Sequence, residues 1–443
     1  MKLSKYNVLF EVDGKWYLYN LLSTALVEIE KDVADAIEKN DVLSIASSYV
    51  TAMAGMHLVV DDSIDEAQEY LFYFNAMKYR IGTKTLGLIF IPTYNCNLAC
   101  PYCLQGLKKE KKIISNENLK GILSFVEKQM LMSQREGFGI NKINVTIYGG
   151  EPFLAKHQLI VFCDELHEIA SSNKALLNIQ IVTNFTLLDD DIITLIKKYN
   201  ISVQVSVDGL KGQHDKTRIR QDGNGTFDII INNLKKMSSE GLKQNVVIRI
   251  NVNEDNLSDL DEIMGSVREY SDDVYFAFVD KYKGFNDGFD CCLSHQGYSD
   301  ILTKKIYPIY EKYNLLIHRA FGKESPCSIC TENRFVVDAN LDVYKCEVLV
   351  NQQDAKVGTI DNKGDLLLNN NFYKQMSLSP EKDQKCRDCK LLPLCGGGCV
   401  GKAYINRALK DSNFECRECK MQMSDLLVFL KDHVKRKAKK ASV

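Results

Sequence analysis

Along the first 20 residues apolar and polar side chains alternate: NVLFEV (7–12) and KWYLYN (15–20) each read with the period of two that marks a half-buried strand, and they flank Asp13-Gly14, a strong tight-hairpin signal. The next segments, TALVEIEKDVADAIE (24–38) and VLSIASSYVTAM (42–53), carry apolar residues at three- and four-residue spacing and predict helices; HLVV (57–60) then predicts a short extended run. From residue 86 the pattern changes. Six short β-branched strands, LGLIFIP, INVTIY, NIQIVT, ISVQVSV, NVVIRIN and DVYFAFV, alternate with helical stretches at 115–132, 157–170, 188–199, 224–240 and 256–270. Strand-helix repeats of this kind build a parallel sheet, and six of them predict an α/β partial (β/α)6 barrel, open on one side. In such barrels functional groups collect at the C-terminal ends of the strands.

Residues 281–325 give a weak, mostly helical pattern and read as a linker. Residues 326–425 are short on regular pattern and rich in cysteine, as expected of a region held by metal more than by a core. A last helix, MSDLLVFLKDHV, opens the 426–443 tail, whose basic end KRKAKK is expected to fray. With 56 Lys and Arg against 58 Asp and Glu, the net charge of -2 gives, outside that basic tail, no reason to expect nucleic acid or an anionic membrane as partner. No apolar run approaches the roughly 18 residues of a membrane span, and the N-terminus lacks the plan of a secretory signal, so a cytoplasmic protein is expected.

In a reducing compartment, 15 cysteines point to metal or redox chemistry more than to disulfides. Cys163, in an apolar helical stretch, reads as a core residue, and Cys291 and Cys292 stand apart. The other twelve form two groups. In IPTYNCNLACPYCLQ, Cys96, Cys100 and Cys103 follow the first barrel strand directly. Three thiolates can hold three irons of a 4Fe-4S cubane and leave the fourth open. Zinc would ask for a fourth protein ligand, and no further Cys or His lies nearby in sequence.

The CxxxCxxC triad in this strand-loop setting, with TIYGGEP (146–152) at the end of the second strand, resembles the radical SAM superfamily. The resemblance implies that the open iron chelates S-adenosylmethionine. It also implies that Gly149, Gly150 and Glu151 contact the methionine amino group, and that Asn184, Ser206 and Arg249 contact the ribose hydroxyls and the carboxylate. In the second group, CRDCKLLPLCGGGC with Cys327, Cys330 and Cys346 upstream and Cys416 and Cys419 downstream resembles the SPASM extension of peptide-modifying radical SAM enzymes. By that resemblance Cys330, Cys346 and Cys399, with Cys327 as fourth candidate, hold one auxiliary cluster. Cys386, Cys389, Cys395 and Cys416 hold the other, with Cys419 competing for the last place. Zinc ribbons also use CxxC pairs, but not the long combined pattern.

Residues 1–75 resemble the winged-helix-like modules that recognise precursor-peptide leaders. The domain plan expected is therefore a leader module at 1–75, a radical SAM partial barrel at 86–280, the linker, and an iron-sulfur domain at 326–425. The function implied is a maturase with three 4Fe-4S clusters and S-adenosylmethionine, fed by an electron donor such as flavodoxin or ferredoxin. It would act on a ribosomally made precursor peptide, with a thioether crosslink as the first expectation and carbon-carbon crosslinking or formylglycine formation in a sulfatase as alternatives. A non-catalytic iron-sulfur electron carrier would need neither the open iron nor GGEP. Glu347, directly after Cys346, is a candidate base or a solvated surface carboxylate.

Overall fold

A computed structural model describes residues 1–79, 84–103, 112–137, 139–279, 298–315, 327–350, 352–380, 383–399, 401 and 423–441. At the N-terminus β1 (Lys2–Leu3) pairs with β5 (Val59–Val60), while β2 (Asn7–Val12), β3 (Lys15–Asn20) and β4 (Leu26–Ile29) form an antiparallel sheet. Asp13 and Gly14 both take positive φ, 52° and 80°, as a two-residue turn matched to strand twist requires. The helix expected from residue 24 begins only at Lys31: LVEI pairs along β3, with Leu18 opposite Val27, and Glu30 is held extended at ψ 156°. Period two overrides period 3.6 here because an edge strand can bury one face against the hairpin. Helices Ser47–Gly55 and Glu66–Lys78 complete this part; Asp65 caps the second through Ala67 N (3.0 Å) and Gln68 N (3.1 Å), and that helix runs past residue 75.

The six strands read from the sequence are β6 (Thr85–Ile91), β7 (Lys142–Ile147), β8 (Leu176–Thr183), β9 (Ser202–Val207), β10 (Val246–Val252) and β11 (Asp273–Phe278). They pair in parallel and in sequence order, with helices Asn116–Arg135, Lys156–Ser172, Asp190–Tyr199, Phe227–Ser239 and Leu260–Val267 between them. The fold is an α/β partial barrel whose main core lies between strands and helices, and Cys163 is fully buried in it.

Beyond the barrel the cysteine-rich region is more regular than its sequence suggests. β12 (Arg334–Asp338) adds to β6 in parallel, and β13 (Asp342–Tyr344), β14 (Gly358–Ile360) and β15 (Leu366–Leu368) extend one ten-stranded sheet. Gly87 admits the junction, since a Cβ there would stand 2.8 Å from Cγ of Arg334, its register partner. Of the expected linker, 298–315 is helical over 298–312, and the remainder lies outside the described residues. The C-terminal helix runs over Met423–Ala441 and so includes the whole of the basic stretch expected to fray.

That helix ties the molecule together. Leu426, Leu430 and Val434 share one core cluster with Val8, Phe10 and Tyr19 of the N-terminal sheet, Tyr70 and Phe74 of its last helix, and Cys386 and Leu392 of the cysteine-rich region. The N-terminal part is thus packed onto the rest through a common core.

Candidate active site

β6 ends at Ile91, and the loop after it carries the first three cysteines. Thr93 donates its hydroxyl to Lys112 O (2.7 Å) and accepts Asn95 N (3.0 Å). The GGEP turn after β7 clamps this loop from below, with Gly150 N bonded to Thr93 O (3.0 Å) and Glu151 N to Asn95 O (2.8 Å). From the other side Ala99 N donates to Ile219 O (2.8 Å) and Gln221 Nε2 to Cys96 O (2.6 Å). The glycines are needed for this approach: a Cβ on Gly150 would sit 2.0 Å from Asn95 O, and one on Gly149, whose φ is 142°, 2.4 Å from Thr93 O.

Cys96, Cys100 and Cys103 open onto a cavity of about 770 Å³ at the C-terminal ends of the strands, within the size range of small-ligand sites. Gly149, Gly150, Asn184, Ser206 and Arg249 line it as well, although Arg249 lies mid-strand in β10, register partner of Ser206. Asn184 organises the cysteine loop: its Nδ2 donates to Asn97 Oδ1 (2.8 Å) and approaches Cys96 Sγ (3.8 Å), while its Oδ1 accepts Thr186 N (3.0 Å). Arg249 Nε donates to Asn251 Oδ1 (2.8 Å).

Glu151 departs from expectation. It is fully buried and absent from the cavity lining, where its charge was expected to meet a cationic amino group. Its Oε1 accepts Phe153 N (3.0 Å) and Thr183 Oγ1 (2.7 Å), and its Oε2 accepts Asn184 N (2.7 Å). Burial raises its pKa, against the pull of those bonds. The carboxylate therefore fixes the end of β8, and with it Asn184.

Four residues of the site, Tyr102, Asp208, Arg218 and Asn251, are not among the sequence candidates. Tyr102, inside the cysteine motif, donates to Asp208 Oδ2 and accepts Arg218 Nη1 (2.7 Å); Asp208 Oδ1 accepts Asn251 Nδ2 (2.8 Å). Arg218 is buried, lines the cavity, and has an Nε with no hydrogen-bond partner among the described residues. A buried guanidinium with an unsatisfied donor at a cavity wall is suited to an anion. Asp208 obeys the strand-end rule as Ser206 does, whereas Arg218 comes from a loop that no periodicity marks. Behind them His214 Nδ1 accepts Asp208 N (3.2 Å), and burial pushes that imidazole down to about 4. Glu347 also lines the cavity.

The triad fits a cluster. Cys96 Sγ accepts Leu98 N (3.4 Å), and burial pushes the Cys100 thiol up to about 12, so an ion's positive charge is what would ionise it. Among the described residues there is no group of three His, Cys, Asp or Glu placed to share one metal ion. A cubane does not need that convergence, because each thiolate has its own iron.

In the second group Cys346 lies beside Cys399: a Cβ on Gly401 would stand 3.3 Å from one sulfur and 4.0 Å from the other. Burial, with Cys327 and Cys399 near, raises the Cys346 thiol. Cys330 is buried close to Lys345, whose Nζ donates to Thr331 O (2.5 Å) and Arg334 O. Cys386 sits in the core shared with Tyr6 and Tyr70, and Cys389 and Cys395 are half-buried nearby. Cys416 and Cys419, like Cys291 and Cys292, lie outside the described residues.

Residues 90–267 match the family model of the Radical SAM superfamily. A cysteine-type anaerobic sulfatase-maturating enzyme of Clostridium novyi is 25% identical over 357 residues, 75% of this chain and 90% of the relative. Among solved structures, native anSMEcpe with bound AdoMet superposes with a TM-score of 0.59 at 19% identity, covering 81% of this chain and 99% of that one. Streptococcus suis SuiB bound to its precursor peptide SuiA gives 0.56 at 16% identity, covering 95% and 100%. The three-cysteine loop and GGEP turn that meet on this cavity both fall within residues 90–267, the part of the protein that carries the Radical SAM domain.

Proposed function

We propose that this protein is a radical SAM maturase that modifies a ribosomally made precursor peptide, joining a peptide cysteine sulfur to a carbon of another residue. The observation that carries the reading is the single cavity on which the cysteine triad, the Gly149-Gly150 backbone, Asn184, Ser206 and two arginines meet. When bound, the first cluster supplies one electron to S-adenosylmethionine, whose cleavage provides the 5′-deoxyadenosyl group that takes a hydrogen atom. Arg249 and Arg218 would offer forked donors to the methionine carboxylate, and Asn184 and Ser206 would serve the ribose hydroxyls. Closing a thioether from a thiol and a C–H bond releases a hydrogen atom, a proton and an electron. Among the described residues Glu347 is the carboxylate that lines the cavity and would receive the proton. Cys327, Cys330, Cys346 and Cys399, and Cys386, Cys389, Cys395 and Cys416, would hold the two auxiliary clusters suited to the electron; flavodoxin or ferredoxin would be the donor at the start of the cycle.

The N-terminal sheet favours a precursor peptide over a sulfatase. The SuiB fold covers 95% of this protein where anSMEcpe covers 81%, and β4 is an edge strand open to strand addition among the described residues. The sulfatase-type reading keeps its support from the Clostridium novyi relative. Mass spectrometry separates the two. A cysteine-containing precursor incubated with the reduced enzyme is expected to lose two hydrogens, whereas formylglycine formation removes the thiol sulfur. Conversion of a sulfatase peptide alone would overturn the proposal.

A further inference from the structure

The cavity has two unlike sides. Its polar side holds the cysteines, Asn184, Ser206 and the only charged groups that line it among the described residues apart from cysteine, namely Arg218, Arg249 and Glu347. Its other side, beyond Tyr275 of β11, is mostly aliphatic and aromatic, with two tyrosine hydroxyls its polar atoms: Phe278, Leu302, Ile306, Tyr307, Tyr310 and Phe429. This wall packs on β11, the edge strand of the partial barrel, where Phe276 N donates to the Tyr310 hydroxyl (3.1 Å). Helix 298–312 passes through a π-helical turn at Leu302–Ile306, just before Pro308, which cannot donate to the preceding turn. Such turns are frequent at functional sites, and both ends of this one, Leu302 and Ile306, reach the cavity. The C-terminal helix backs it: Ser299 Oγ donates to Asp425 Oδ1 (2.8 Å), Arg436 Nη2 donates to Leu315 O (2.9 Å), and the rings of Phe429 and Tyr307 meet edge to face at 5.3 Å.

We propose that this wall seats an apolar side chain of the peptide, so that the residue giving up its hydrogen is aliphatic or aromatic. The inference rests on the maturase reading and adds the substrate class. A charged or amide side chain placed there would exchange full hydration for at most the two tyrosine hydroxyls of the wall, whereas an aliphatic one gains by burial, roughly ten- to hundredfold in occupancy. The hydrogen transfer that follows breaks a C–H bond in the seated residue and forms one at the 5′ carbon, so a deuterium label moves with it.

The test uses two probes of nearly equal shape, N-acetyl-leucinamide and N-acetyl-asparaginamide, each deuterated in the side chain. Binding to the full-length protein is followed by saturation-transfer NMR, and deuterium in 5′-deoxyadenosine by mass spectrometry as a fraction of all 5′-deoxyadenosine formed. Leucinamide is expected to exceed asparaginamide about tenfold or more in both readouts. The ratio should fall toward one in Phe429→Gln and persist in Phe429→Leu, which keeps the wall apolar. A ratio near one in the parent, an unchanged ratio in Phe429→Gln, or no signal from either amide while 5′-deoxyadenosine forms would overturn the pocket. Failure of the parent to form 5′-deoxyadenosine at all would instead overturn the cleavage reading beneath it.

Discussion

Glu151 shows how one residue can be placed correctly by pattern and given the wrong task by it. GGEP locates the turn, but burial, which the four letters do not encode, turns the carboxylate from the cavity onto three donors: Phe153 N, Thr183 Oγ1 and Asn184 N. The amide oxygen of Glu151→Gln can still accept Phe153 N and Thr183 Oγ1, but its nitrogen cannot accept Asn184 N. Gln should therefore damage the site through that one bond, and Glu151→Ala, which loses all three, should damage it more. Each should cost about 1–3 kcal/mol in thermal unfolding and weaken S-adenosylmethionine binding through a displaced Asn184. A Gln variant with parental stability and affinity would show that the bond to Asn184 N does not matter. His214 gives a pH prediction. Its folded pKa, near 4, lies below the value of about 6.5 for an unfolded polypeptide, so between these the unfolded state binds more protons and stability is lost as pH falls from 6.5 toward 4. The difference in unfolding free energy between parent and His214→Gln should therefore shrink over that window, and a difference constant with pH would place the ring in a different environment.

At the scale of elements, the parallel strands were legible because each is a continuous β-branched run bounded by turn residues, as in ISVQVSV before Asp208-Gly209. The strand at 26–29 was not, because LVEI runs straight into a true helix and only the neighbouring hairpin decides its period. β13, β14 and β15 were hidden by length, at three residues each, and get their order from pairing rather than propensity. The C-terminal helix was foreseen as a helix but not as a bolt between the N-terminal sheet and the cysteine-rich region. Leu430, fully buried in that shared core, tests it: Leu430→Ala should destabilise by about 2–5 kcal/mol and lower the unfolding of the N-terminal sheet and the cysteine-rich region together. Trp16, the one tryptophan, reports on the sheet, and two separate transitions, with Trp16 emission unchanged by the substitution, would contradict the common core. The same indole lies opposite Ile29 of β4, so a leader peptide added along that edge should change its emission saturably. A flat titration would argue against docking there.

Over the whole molecule, the triad and GGEP could be placed on one cavity from sequence because both follow consecutive parallel strands, and topology brings strand ends together. Arg218 and the aromatic wall could not, since a loop arginine, the helix at 298–312 and Phe429 of the C-terminal helix are distant in sequence and meet only through packing. The proposed activity requires Cys96, Cys100 and Cys103 to be the centre of S-adenosylmethionine cleavage, separate from the second cysteine group. The direct measurement compares the anaerobically reconstituted, reduced parent with the Cys96→Ala, Cys100→Ala, Cys103→Ala triple variant, counting iron and 5′-deoxyadenosine in each. The parent should hold about twelve irons, four per cubane, and release 5′-deoxyadenosine; the variant should keep about eight and release none. Undiminished 5′-deoxyadenosine from the triple variant would contradict the assignment of this site.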